Sequence, residues 1–275
     1  MSGWQAISDW FAKASLVLDP YERQARLFPA LLCVLPLMVM CIALYPNQLI
    51  SLKGLGGLVG CVGLMYLLAD FARGQGRKHE ARLWASWGGA PSVQVLRHRD
   101  HVFDPVSKSI YHNFLGKKLK IAMPSKETEA ADPDLADAAY AAAGNWLRSA
   151  TRDKKKFNLL YRDNVTYGYR RNGYGLRWVG VVVSLAVLVW VGFREGFSSW
   201  WQRLDTAATP ESLLSAGEVV TGGVAIVMIF IWQFNFSESR VRDAAFSYAR
   251  QLILCCESLP GRLQTTKAKA APEAN

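Results

Sequence analysis

The stretch RRNGYGLRWVGVVVSLAVLVWVGF, residues 170–193, decides the fold. Three arginines close a long polar segment, and the next sixteen residues carry no charge. A run of that kind is what a lipid core selects, and Trp178 at its start suits the interface. Three further apolar runs are present, Leu27 to Leu44, Leu55 to Phe71 and Gly217 to Phe234. The apolar runs therefore come as two pairs, with the polar segment Arg73 to Arg177 between them. About ten residues separate the first pair and about twenty the second, so each pair forms an antiparallel hairpin. The sequence predicts a mainly α, integral membrane protein with four transmembrane helices in two hairpins.

Composition agrees. With 51 % apolar residues and a mean hydropathy of +0.07, the chain lies between a soluble domain and a bundle made wholly of spans. Five cysteines are present, Cys33, Cys41 and Cys61 within the runs and Cys255 and Cys256 near the end. No pair flanks a loop outside the membrane, so reduced, buried thiols are expected.

The charge has a location. Arg73 to Arg177 holds twenty Lys or Arg against ten Asp or Glu, a net +10 that equals the formal charge of the whole chain. Such a charge suits nucleic acid or anionic lipid, and beside four apolar runs the lipid headgroups are the simpler partner. Arg73, Arg77 and Lys78 follow the second run directly, and Arg170, Arg171 and Arg177 precede the third. By the positive-inside rule the central segment and both termini face the cytoplasm, as in a multi-pass protein of an inner (plasma) membrane.

The expected organisation follows. Residues 1–26 form an amphipathic interfacial helix with Trp4, Ile7, Phe11 and Leu18 on one face. Residues 27–71 are the first hairpin, 72–177 the basic cytoplasmic domain, and 178–236 the second hairpin. Residues 237–260 are a cytoplasmic helix that continues span four without a breaker, and 261–275 a disordered tail. Within the central segment, Lys78 to Trp87 reads as a helix stopped by Gly88, Gly89 and Pro91. Val93 to Met123 is divided by Asp104-Pro105 and Gly116, and a few short strands or irregular structure fit it. Asp132-Pro133 has the form of an N-cap followed by N1 proline, with a helix to Ala150 on which Leu135, Ala139, Ala142, Trp146 and Ala150 line one face.

Candidate sites come in two groups. Arg97, His98, Arg99 and His101 form a cationic cluster suited to phosphate or carboxylate. Lys154, Lys155, Lys156, Arg170 and Arg171 interleave with Phe157, Tyr161, Tyr167 and Tyr169, a composition that suits headgroups or a nucleotide. A metal at His98 and His101 is disfavoured by the flanking arginines, and neither a metal nor a cofactor is expected. In the spans, Pro36 kinks the first helix near mid-bilayer, with a gating hinge as the alternative role. Gly56 and Gly60 form a close-packing pair within the bundle or between copies, and Glu218 is a pore-lining or first-turn acid.

No phosphate loop, dinucleotide fingerprint, nucleophile elbow, zinc-protease helix or kinase set occurs, so no enzyme is expected. The layout resembles, in architecture alone, bacterial four-span effectors that accompany nucleotide-signalling defence systems. That resemblance implies a homo-oligomeric, channel-like sensor-effector: the basic domain senses an anionic ligand or cytoplasmic protein, and the spans open or perturb the membrane. A non-conducting scaffold that recruits a cytoplasmic partner is the alternative. A lipid-modifying enzyme using Arg97 to Asp104 is the third.

Overall fold

A computed structural model describes residues 19–47, 55–206 and 213–260. The expected interfacial helix falls mostly outside the described residues, as does the C-terminal tail. Ten α-helices carry the described fold: α1 (Phe28–Leu44), α2 (Leu55–Trp87), α3 (Pro91–Gln94), α4 (Pro105–Leu119), α5 (Lys126–Ala131), α6 (Pro133–Ala150), α7 (Asn158–Phe193), α8 (Phe197–Thr206), α9 (Ala216–Asn235) and α10 (Glu238–Leu254). A π-helical turn, Glu22–Leu27, leads into α1. The described residues contain no strand.

Three helical stretches are long and apolar enough to cross a membrane: Glu22–Leu44, α7 and α9. The second expected span falls in α2, but the side chains of residues 55–62, Gly56 and Gly60 among them, lie outside the described residues. Ile42, Val182, Phe230 and Phe234 are each more than half exposed on these helices. Exposed apolar rows of this kind suit lipid and not water.

The chain divides into two units. The first holds the described residues up to Glu80 with Val165–Val241, the second Ala81–Asn164 with the described residues from Arg242. In the first, Ala30, Cys33, Leu176, Val181, Met228 and Trp232 form the core. Helix ends fix the directions. Gly217 at the start of α9 lies against Ala43 O at the end of α1, and Trp190 Nε1 near the end of α7 donates to Tyr45 OH at 2.9 Å. Helices α1 and α7 thus run parallel, and α9 runs antiparallel to them. Glycines make the close approaches: a Cβ on Gly175 would stand 2.6 Å from the backbone of Gln75 and Gly76, and one on Gly180 would strike the Trp232 ring. Pro36 lies inside α1 and is buried.

The second unit packs α4, α6, the first turn of α7 and α10 around Leu96, Leu115, Tyr140, Leu147, Leu252 and Ile253. Helix α2 stops as expected, with Gly88 and Gly89 at φ of 88° and 126°, values that favour glycine.

Four expectations are corrected. The Val93 to Met123 region holds no strand: α4 fills Pro105–Leu119, and residues 95–104 and 120–125 are turns and irregular structure. Asp104, read as a breaker, accepts from Ser107 N at 2.9 Å and caps α4, with Pro105 at its first position. Gly116 lies within α4, where its missing side chain lets Ile121 O approach: a Cβ there would be 2.9 Å away. On α6 the buried face is Ala136, Tyr140, Ala143 and Leu147, while Leu135 is 62 % exposed. Finally, the helix of α9 does not run on. It breaks at Phe236, whose fully buried ring seats against Gly173 and stacks on Trp232 at 4.8 Å, and α10 starts afresh at Glu238.

Candidate functional site

The cationic cluster at 97–101 does not face solvent as one surface. Arg97 is buried. Its Nε donates to Asp137 Oδ1 at 2.8 Å, Nη2 to Asp137 Oδ2 at 2.5 Å and Nη1 to Gly88 O at 2.8 Å. The bidentate pair with Asp137 holds the guanidinium charged, above its ordinary value. His98 donates through Nε2 to Pro124 O at 2.9 Å. Its backbone N–H donates to Glu129 Oε2 at 2.7 Å. Arg99 is more than half exposed and stands 3.9 Å from Glu129 Oε1, and His101 is exposed. Among the described residues no group of three or more His, Cys, Asp or Glu is placed to hold a metal ion.

Around that cluster lies a buried polar network. Glu129 is 4 % exposed and also accepts from Tyr140 OH at 2.8 Å. Burial pushes its carboxyl up, but the bonds from His98 and Tyr140 outweigh burial and hold it below the usual range. Lys108, 3 % exposed, donates from Nζ to Arg97 O and Asp100 O, both at 2.6 Å. Burial lowers its pKa. His112 donates through Nε2 to Leu96 O at 2.8 Å, stacks on Tyr140 at 5.4 Å and meets the His98 ring edge-on at 4.9 Å. Burial lowers its pKa to about 4, so the ring is neutral at pH 7.

Beside this network is an open groove of about 440 Å³, lined by Ser109, His112, Asn113, Gly116 and Lys117 of α4 and by the backbone run to Pro124. Lys120, at φ 57° in the left-handed region, ends α4 and turns the chain back along it. The approach at Gly116 then brings the 121–124 run beside the helix. Sequence reading missed this groove, although Asp104-Pro105 as a helix start was its signal.

The basic and aromatic residues of α7 and of the turn before it separate into two kinds. Lys154, Lys155 and Lys156 are exposed, with Lys154 Nζ 5.3 Å from the Tyr161 ring and Lys156 Nζ 5.3 Å from Phe157. Arg170 instead donates to Asn235 O at 3.0 Å and Oδ1 at 2.9 Å, which also satisfies a carbonyl at the end of α9. Arg171 pairs with Glu80 at 2.7 Å, and Tyr167 OH donates to the same oxygen at 2.6 Å. Arg177 donates to Gln233 Oε1. Fully buried Asn172 donates to Ala25 O at 2.7 Å. These contacts tie the polar ends of the apolar helices together.

At the opposite end, Glu218 is 2 % exposed. It forms a capping box with Ser215 and receives Arg194 and Arg203, each at 3.3 Å. That is the first-turn acid of the sequence reading, with two arginines the sequence did not assign to it.

No family model, curated protein or solved structure matches this chain.

Proposed function

We propose that the protein is an oligomeric four-span membrane sensor-effector, with both termini on the side of its polar domain. Its second unit takes up an anionic ligand in the groove beside α4, and the bundle responds by opening or perturbing the bilayer. The observation that carries this reading is the groove itself: hydrogen-bonding groups of Ser109 and Asn113, the ammonium of Lys117 and a neutral imidazole meet in one unit of a chain whose other unit holds three apolar helices. Hydroxyl, amide and ammonium donors together suit phosphate or carboxylate oxygens. The ligand surface thereby moves from buried Arg97 to the open groove on the α4 side, with exposed Arg99 nearby in sequence.

The test is reconstitution into vesicles of phosphatidylethanolamine and phosphatidylglycerol loaded with a self-quenched dye. Linear and cyclic nucleotides are added in turn. Release by one of them, lost in Lys117→Glu at equal insertion, is the expected result. Silence with every anion, together with a soluble protein that co-purifies in fixed ratio, assigns the chain to a scaffold role instead.

A further inference from the structure

A second pocket lies in the first unit, where the π-helical turn before α1 meets the polar part of α2. Its volume is about 310 Å³, and Glu22, Arg26, Tyr66, Asp70 and Arg73 line it. Both signs of charge are present in equal number. The Nε atoms of Arg26 and Arg73 are buried and have no hydrogen-bond partner in the structure. Orphaned guanidinium donors in a cavity are costly unless an acceptor completes them. Glu22 engages Nη1 of Arg26, so that carboxylate leaves the Nε donors unserved. Asp70 is exposed at the rim, one helical turn before Arg73.

Leu27 belongs to this pocket, and the next residue begins an apolar groove of about 370 Å³ along Phe28, Leu31, Leu35 and Met38 of α1, closed by Tyr169. The groove follows about 15 Å of helix. A charged pocket thus opens at the polar end of an apolar helix, the depth at which phospholipid headgroups lie. The groove is a separate feature: it shares no lining residue with the pocket and turns toward Tyr169 of α7, whereas the pocket turns toward α2.

We infer that this pocket binds the headgroup of a single zwitterionic phospholipid with a primary ammonium, its phosphate on Arg26 and Arg73 and its ammonium on Asp70 and Glu22. Two guanidinium groups supply the charge-assisted donors that phosphate requires. The two carboxylates accept from an ammonium that carries hydrogens, which a quaternary amine lacks. The inference rests on α1 crossing a bilayer and not on gating, so a bundle that never leaks still retains the lipid.

Native mass spectrometry of the full chain released from detergent micelles tests it. Dioleoyl phosphatidylethanolamine, phosphatidylglycerol and phosphatidylcholine are each added, with soluble glycerophosphoethanolamine as competitor. One bound phosphatidylethanolamine is expected, retained at least tenfold better than phosphatidylcholine. Arg73→Ala lowers its retention by about tenfold or more, the loss of a charged hydrogen bond. Asp70→Asn, at an exposed site that leaves folding intact, removes the preference over phosphatidylglycerol while phosphatidylglycerol binding stays. Equal retention of all three lipids, or retention unchanged in Arg73→Ala, overturns the assignment. Displacement by the soluble competitor at equal concentration overturns it too, because the site then reads a soluble phosphate ester and not a lipid.

Discussion

Arg97 and Arg73 stand in opposite circumstances, and the contrast separates what holds this molecule together from what it has to offer a ligand. Arg97 spends three nitrogens on Asp137 and Gly88 within its own unit, and the backbone around it is fastened by Lys108 and Glu129. Arg73 lines a pocket with its Nε buried and unserved. A cationic residue in a basic segment is therefore no ligand site by composition alone. The decisive feature is whether its donors already have acceptors, and that depends on tertiary partners.

The largest effect expected from this contrast is at Arg97. Arg97→Ala leaves Asp137 and a backbone carbonyl without their donors, at a cost of about 3 kcal/mol to the second unit. Arg97→Lys keeps the charge but loses the fork and recovers only part of it. Urea unfolding of the solubilised chain, followed by pulse proteolysis within Ala81–Asn164, reads the loss. A midpoint within error of wild type sinks the view of Arg97 as structural and returns it to the ligand surface.

Acid provides the next test. His112 has a folded pKa near 4 against an ordinary value near 6.5, so between those values the unfolded chain binds the proton that the folded chain refuses. Stability is then present in full above pH 6.5 and falls as pH drops toward 4, by roughly 3 kcal/mol from this group. In His112→Gln the fall over that window shrinks by that amount, while acid loss from the carboxylates remains. An unchanged pH profile removes His112 from the buried network.

Packing, not charge, governs the core of the first unit, so its most sensitive site is a glycine. A Cβ on Gly175 meets the backbone of Gln75 and Gly76 at 2.6 Å, and backbone has no rotamer to change. Gly175→Ala is expected to cost about 2 kcal/mol by forcing α2 and α7 apart. Proteolysis of the first unit at rising temperature measures it. Gly192→Ala, where nothing lies within 4 Å of the added carbon, serves as the neutral control.

The apolar stretches were legible because fifteen or more uncharged residues admit few readings, and Gly88-Gly89 announced the end of α2 through the φ values only glycine takes readily. Asp132-Pro133 was read as a helix start and Asp104-Pro105 as a breaker, though both do the same work. The difference is that alanines follow the first, whereas Val106, Ser107 and Ile110 weaken the helical signal after the second. On α6 a row of alanines gives little contrast between faces, and Tyr140, not Leu135, anchors the buried one. The break at Phe236 has no local signal, since it depends on the space at Gly173, sixty-three residues earlier. Partners at such separations explain why the candidate site was the least legible part. Asp137 lies forty residues from Arg97 and Asn235 sixty-five from Arg170, and neither spacing follows from any period. The groove and the Arg26–Arg73 pocket exist only once those contacts are made.

The smallest expected stability change lies at the other pole of the contrast. Arg73→Ala removes a side chain whose Nε has no partner to abandon, so the free energy of unfolding in lipid-free micelles changes by less than about 0.5 kcal/mol. Adding dioleoyl phosphatidylethanolamine then separates the proteins: wild type gains stability by linkage, since a ligand bound only to the folded state raises it with concentration, and the variant gains far less. The same lipid leaves the Arg97→Ala deficit in place, because that arginine's acceptors belong to the protein itself. If Arg73→Ala proves as damaging as Arg97→Ala before any lipid is added, the two arginines are structural alike, and the unserved Nε in the first unit is no mark of a ligand.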